Sequence, residues 1–299
     1  AVRAIRTDDD KAVLSLSGAA AQAGAMMIND NAIPYRADGY ERILLHHLQA
    51  MNYLTAGDLE GASVEVRRAG AEQALARRRH EKELEAARRQ ARERNVSADV
   101  PAEVAQAYGG LDPVAGEVKS SFQNACTFYL AGLVAELQGH FDDAYIDYKK
   151  ALEIVPENTY FRRDVIRLAR RLRRREELAA FTALYPIAAR EAEERSGATG
   201  DLVVLFEDDF VAQKQEIKIP VPLPPPDHLT MAAFPTYGMH RIETYSLSLQ
   251  ERDSIIARSE PACLVDALAI RALQEKIPSM TVRQMIRAVS KAAAARRAE

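Results

Sequence analysis

One run of residues constrains this chain more than any other: FYLAGLVAELQGHFDDAYIDYKKALEIVPEN, residues 128–158. Gly132 and Ala144 are small where two antiparallel helices must approach closely. Gly139 can take the positive φ that ends a helix at little steric cost. Tyr148 is placed to fill the gap toward a neighbouring hairpin. Pro156 has no N–H to donate and stops the second helix. The pattern returns 82 residues upstream. Gly57-Asp58-Leu59 corresponds to Gly139-His140-Phe141, and Ala62, Val66 and Ala69 correspond to Ala144, Tyr148 and Ala151. Ala50 and Tyr53 stand where the later copy has Gly132 and Ala135.

These residues resemble a tetratricopeptide repeat over about 125–158 and, less completely, over about 43–74. Phe128, Gly132, Gly139, Phe141, Ala144, Tyr148, Ala151 and Pro156 fall where that motif places aromatic, small, turn and proline residues. The later copy departs at Ala131 and Ala135, where a larger side chain is usual. The earlier copy has Ala74 in place of the closing proline, so its second helix is free to run on. An offset of 82 is not the roughly 34 residues of a regular array, which excludes a simple solenoid.

A broader resemblance spans nearly the whole chain. YRADGYERILLHHLQAMNYLTAGDLEGASVEVRRA, VVLFEDDFVAQKQEIKIPVP and ALAIRALQEKIPSMTVRQMIRAVSKAAA look like a family of proteobacterial lipoproteins of unknown function, exported to the periplasm. That resemblance implies a lipid-bearing cysteine upstream of Ala1 and an outer-membrane location. Membrane contact is then expected through the lipid alone, and the repeat surface points to protein partners, with other cell-envelope lipoproteins among the candidates. The resemblance implies no enzyme activity.

The expected architecture is mainly α: tetratricopeptide-like hairpins with one long helix, plus a small β segment, α+β overall. Three regions are expected: a helical body over 1–196, a β region with a Pro-rich linker over 197–250, and C-terminal helices over 251–299 that pack back on the body. A helix is expected over 8–28 and a loop over 29–38, where Pro34 and an Asn/Asp cluster resist helix. Asp38 followed by Glu41 has capping-box spacing, so a helix starts there and ends at Gly57-Asp58. The next helix runs from Leu59 to Arg94, about 50 Å at 1.5 Å per residue. Its second half is mostly charged. It either projects or rests on a stripe of Ala74, Leu75, Leu84 and Ala87. Residues 95–120 read as a loop with a short helix. Helices follow over 158–173 and 175–196, the latter kinked at Pro186. Strands are expected at 201–207, 215–221, 229–237 and 240–249 from their apolar, partly alternating character. Two helices close the chain, over 261–276 and 279–297, with Ser279 capping the second.

Motif by motif, catalysis finds little support. No GxxxxGK[ST], GxGxxG, GxSxG or HExxH occurs. His46-His47 would point about 100° apart on a helix and suit one metal poorly. Asp8-Asp9-Asp10, Asp142-Asp143 and Asp208-Asp209 fall at expected turns and helix starts, where Asp satisfies free N–H groups. Cys126 and Cys263 lack any ligand spacing and read as buried small hydrophobes, with a long-range disulfide as the alternative. No cofactor and no metal is expected. With 40 basic and 43 acidic residues, net charge −3, the chain has no global attraction for nucleic acid. The Arg-rich runs 77–79 and 170–175 keep open an alternative reading, an adaptor for nucleic acid or anionic surfaces. A cell-envelope hydrolase is a further alternative without a supporting nucleophile and base. The leading expectation is a non-catalytic scaffold that binds protein through its helical surface. Tyr40, Glu41, Arg42, Asn52, Tyr53, Glu65 and Arg67 are the candidate binding residues, since aromatic and Arg side chains are typical anchors.

Overall fold

The computed structural model describes residues 37–298, apart from 117, 195–199, 209, 224–227 and 239–245. The expected helix over 8–28 and most of the loop before Asp38 lie outside the described residues, as does most of 240–247.

Asp38 starts helix α1, Gly39–Thr55, and its N–H donates to the Glu41 carboxylate at 2.6 Å, closing the capping box. Gly57 takes φ +75°, and Asp58 caps helix α2, Leu59–Glu93, by accepting from Gly61 N–H at 2.8 Å. α1 and α2 form the first antiparallel hairpin. Two short helices follow, α3, Ala102–Gly109, and α4, Asp112–Ala115. The second hairpin is α5, Ala125–Leu137, and α6, Phe141–Ile154. Gly139 between them has φ +80°, and α6 stops just before Pro156. Then come α7, Thr159–Arg171, α8, Arg175–Leu184, and α9, Pro186–Glu194. α5 packs on α2, α7 on α6, and α8 and α9 on α7, so the helices stack in chain order. The mainly helical architecture with a small β segment is thus observed.

Tyr148 packs differently from the sequence expectation. It lies inside its own hairpin, over Gly132, with its ring 5.0 Å from that of Tyr129 and its hydroxyl 3.0 Å from Glu136. Tyr129 in turn stacks on Phe161 of α7 at 4.9 Å, so it is Tyr129 that carries the contact to the next helix.

Two prolines also act differently. Pro186 does not kink a helix but begins one, because the first helical position needs no N–H. Pro278 lies within a single helix α10, Val265–Ala298, where two helices were expected. Ser279 is therefore not a cap. It is buried, with its hydroxyl 2.8 Å from Glu83 of α2 and 3.0 Å from the Lys276 carbonyl oxygen. α10 packs along α2, where Ala87 and Ala91 meet Val282 and Ile286. The long helix thus rests on the body. Of the expected stripe, Ala87 is buried and Leu84 half-buried, whereas Ala74 and Leu75 are exposed and Gln73, Ala76 and Ala91 are buried instead. The correction concerns the first part of the stripe, which is fixed by where α10 and α5 lie, not by where the largest apolar residues fall.

In the β segment, β1, Lys214–Leu223, pairs antiparallel with β2, His228–Tyr237, in the register Ile219↔Ala232. Ile219, Ala232, Phe234 and Tyr237 turn inward against Tyr40, Val104, Tyr108 and Leu268, forming the largest core. β3, Ser248–Glu251, and β4, Ser254–Arg258, make a second hairpin. It crosses the expected boundary at 250/251 and adds a strand that the sequence reading did not include. Residues 201–207 form no strand: no ladder partner reaches them among the described residues.

Candidate functional site

The gap between α2, α5 and α6 opens as a groove of about 400 Å³. α2 contributes Val66, Arg67, Gly70, Gln73 and Ala74. α5 contributes Thr127, Phe128 and Ala131, and α6 contributes Asp147 and Lys150. Ala131 is one of the two positions where the repeat pattern expects a larger side chain. Its small size leaves the space open, as does the missing side chain at Gly70.

The lining has a definite polarity. Val66, Phe128 and Ala131 give an apolar surface. Lys150 Nζ lies 2.7 Å from Asp147 Oδ1 and 5.3 Å from the Phe128 ring centroid. Arg67, on the opposite wall, donates through Nε to the Ser63 carbonyl at 3.2 Å and is exposed. Gln73 is buried, and its Oε1 accepts from Asn124 N–H at 3.3 Å. Its Nε2 is buried and has no hydrogen-bond partner. A buried donor left unmatched costs about 1–3 kcal/mol; this one is closed to solvent and is not on the groove surface.

Of the seven residues singled out from sequence, only Arg67 lines this groove. Tyr40, Arg42 and Glu65 are buried, which corrects their assignment to a surface. Tyr40 belongs to the core with Tyr237, and burial pushes its hydroxyl far above the ordinary tyrosine range. Arg42 donates through Nε to the Ala37 carbonyl at 3.1 Å. Glu65 accepts from Arg68 and lies 2.6 Å from His46 Nδ1, inside the first hairpin. Glu41 closes the helix cap. Tyr53 packs over Gly61, and Asn52 is exposed away from the groove lining. Residues facing one helix side in sequence were split by the neighbours that the fold brought to them. The groove's own Phe128, Gln73 and Lys150 were missed. Only the short side chain at Ala131 signalled the space.

Other titratable clusters are closed. Arg167 grips Glu136 through both terminal nitrogens, one at 2.7 Å, while Tyr129 donates to Asp164 at 2.8 Å. Burial raises Asp164 despite its arginine neighbours. Burial would raise Glu136 too, but the Arg167 hydrogen bonds and charge outweigh it and hold the carboxyl below its usual range. Within the Arg-rich run, Arg171 lies 3.7 Å from the Phe141 ring centroid, and Arg174 contacts Asp142 at 2.8 Å. In the other run, Arg79 contacts Glu72 at 2.9 Å and Arg77 contacts Glu81 at 3.7 Å. These arginines are engaged within the protein. Among the described residues, no group of three or more His, Cys, Asp or Glu is placed to hold a metal ion, and no helix is long and apolar enough to cross a membrane. Searches against models of protein families, curated proteins and solved structures return no match for this chain.

Proposed function

We propose that this protein is a non-catalytic adaptor that binds a protein partner in the groove between α2, α5 and α6. The apolar floor of Val66, Phe128 and Ala131 between Arg67 and Lys150 carries the reading. A peptide segment laid over that floor would bury it, and Arg67 and Lys150 would meet acidic side chains at the rim. Burying an apolar floor between a few placed polar groups is how such clefts combine affinity with orientation. The cellular setting proposed with it is the periplasmic face of an outer membrane, with the chain held by a lipid on a cysteine preceding Ala1. That setting rests on the sequence resemblance alone.

The test is a photo-crosslinking side chain placed at Arg67 in the full-length protein in its native cells. A discrete protein adduct is expected, which should vanish when Ala131→Leu fills the groove without lowering the melting temperature. The same probe at Glu216, on the β ribbon, should give no such adduct. An identical adduct pattern from both positions, or none from Arg67, would remove the groove as the binding site.

A further inference from the structure

A second surface stands apart from the groove. Residues 200–208 carry neither turn nor bend, and no backbone hydrogen bond ties 201–208 to any described residue. Two side chains fasten this segment. Leu205 inserts between the cores of the two hairpins, and Glu207 Oε1 lies 3.6 Å from His47 Nε2. Around Leu205, the apolar Leu202, Val203, Val204 and Phe206 are 74%, 40%, 48% and 45% exposed. A β-prone backbone with open donors and acceptors and a row of exposed apolar side chains is a strand without a ladder.

Charge decides what can pair with it. Asp201 stands before the apolar run, and Glu207 and Asp208 follow it. A second copy pairing antiparallel about Val204 would set Asp201 against Glu207, like charges directly opposite each other, which is destabilising. The complement is an extended segment of another protein with alternating apolar residues and Lys or Arg at both ends. We infer that residues 201–208 bind such a segment by strand addition, main-chain hydrogen bonds supplying affinity and the acidic ends supplying selection.

The experiment titrates the 299-residue chain with two fluorescent peptides of alternating Val and Thr, one ended by Lys and one by Glu, and reads anisotropy. The Lys-ended peptide should bind at least about tenfold more tightly, with the preference shrinking as salt rises. Val204→Pro removes an N–H donor at an exposed position and should abolish binding. Leu202→Ser with Phe206→Ser should weaken it about tenfold or more. Ala131→Leu, which closes the groove, should leave it unchanged, so failure here and failure of the groove proposal can be told apart. Equal affinity for both peptides, or undiminished binding by folded Val204→Pro, would overturn the inference. So would a concentration-dependent dimer that the Lys-ended peptide disperses, which would assign the strand to a second copy.

Discussion

A methyl group added at Gly132 would lie 2.5 Å from a carbon of the Tyr148 ring. That ring cannot yield easily, since it is buried, lies beside Tyr129 and is anchored by its hydroxyl to Glu136. Gly132→Ala should therefore cost about 1–3 kcal/mol by overpacking, read from urea unfolding. The double variant with Tyr148→Leu should cost well below the sum of the two single changes, because they share one contact. Strict additivity would mean that the two helices do not meet there.

His47 gives the protein a defined acid sensitivity. Burial lowers its imidazole from the usual 6.5 to about 4, and its neighbours are Thr127 at 3.2 Å and Glu207 at 3.6 Å. The unfolded chain therefore binds the proton that the folded chain refuses. This contribution is present above pH 6.5 and is lost as pH falls toward 4. Between pH 7 and 5 it amounts to about 2 kcal/mol. His47→Gln keeps a polar partner for Thr127 and should flatten that part of the stability profile. A variant profile as steep as the parent's would contradict the assignment.

Cys126 and Cys263 are free and partly buried. Burial pushes the Cys126 thiol up to about 12 and the Cys263 thiol higher still, with each cysteine's neighbour, Glu207 for the first and Cys126 for the second, adding to the effect. Thiolate is the reactive form, so iodoacetamide should label both about a thousandfold more slowly in the native protein than in urea. Rapid labelling of either native thiol would show that its surroundings open.

Pro278 predicts a change in the stabilising direction. It sits inside α10, where proline lacks an N–H and costs about 3 kcal/mol relative to alanine. Pro278→Ala should raise stability by about 1–3 kcal/mol, whereas Ser279→Val should lower it by leaving Glu83 without its hydroxyl partner. Thermal unfolding of both variants distinguishes these effects. A destabilised Pro278→Ala would mean that the proline ring is part of the packing.

Local chemistry was legible where it is settled within a few residues. The Asp38–Glu41 cap, the turns at Gly57 and Gly139, the run of α2 to Glu93 and the close helix approach at Gly132 all follow from backbone conformation and side-chain size. The candidate site was not legible in that way. Tyr40, Arg42 and Glu65 carry the chemistry of binding anchors but became interior, because the β ribbon covered Tyr40 and the hairpin partners His46 and Arg68 claimed Glu65.

What the sequence alone determined is the existence of two helical hairpins and a β segment, since periodicity, caps and small residues act over one or two turns. Tertiary structure decided the rest. It chose which stripe of α2 is buried, carried α10 through Pro278, left 201–207 without a ladder and opened the groove at Ala131. Each of these depends on which distant segment arrives as a neighbour. The energy of that contact, between residues as far apart in sequence as Glu83 and Ser279, is written in no local pattern.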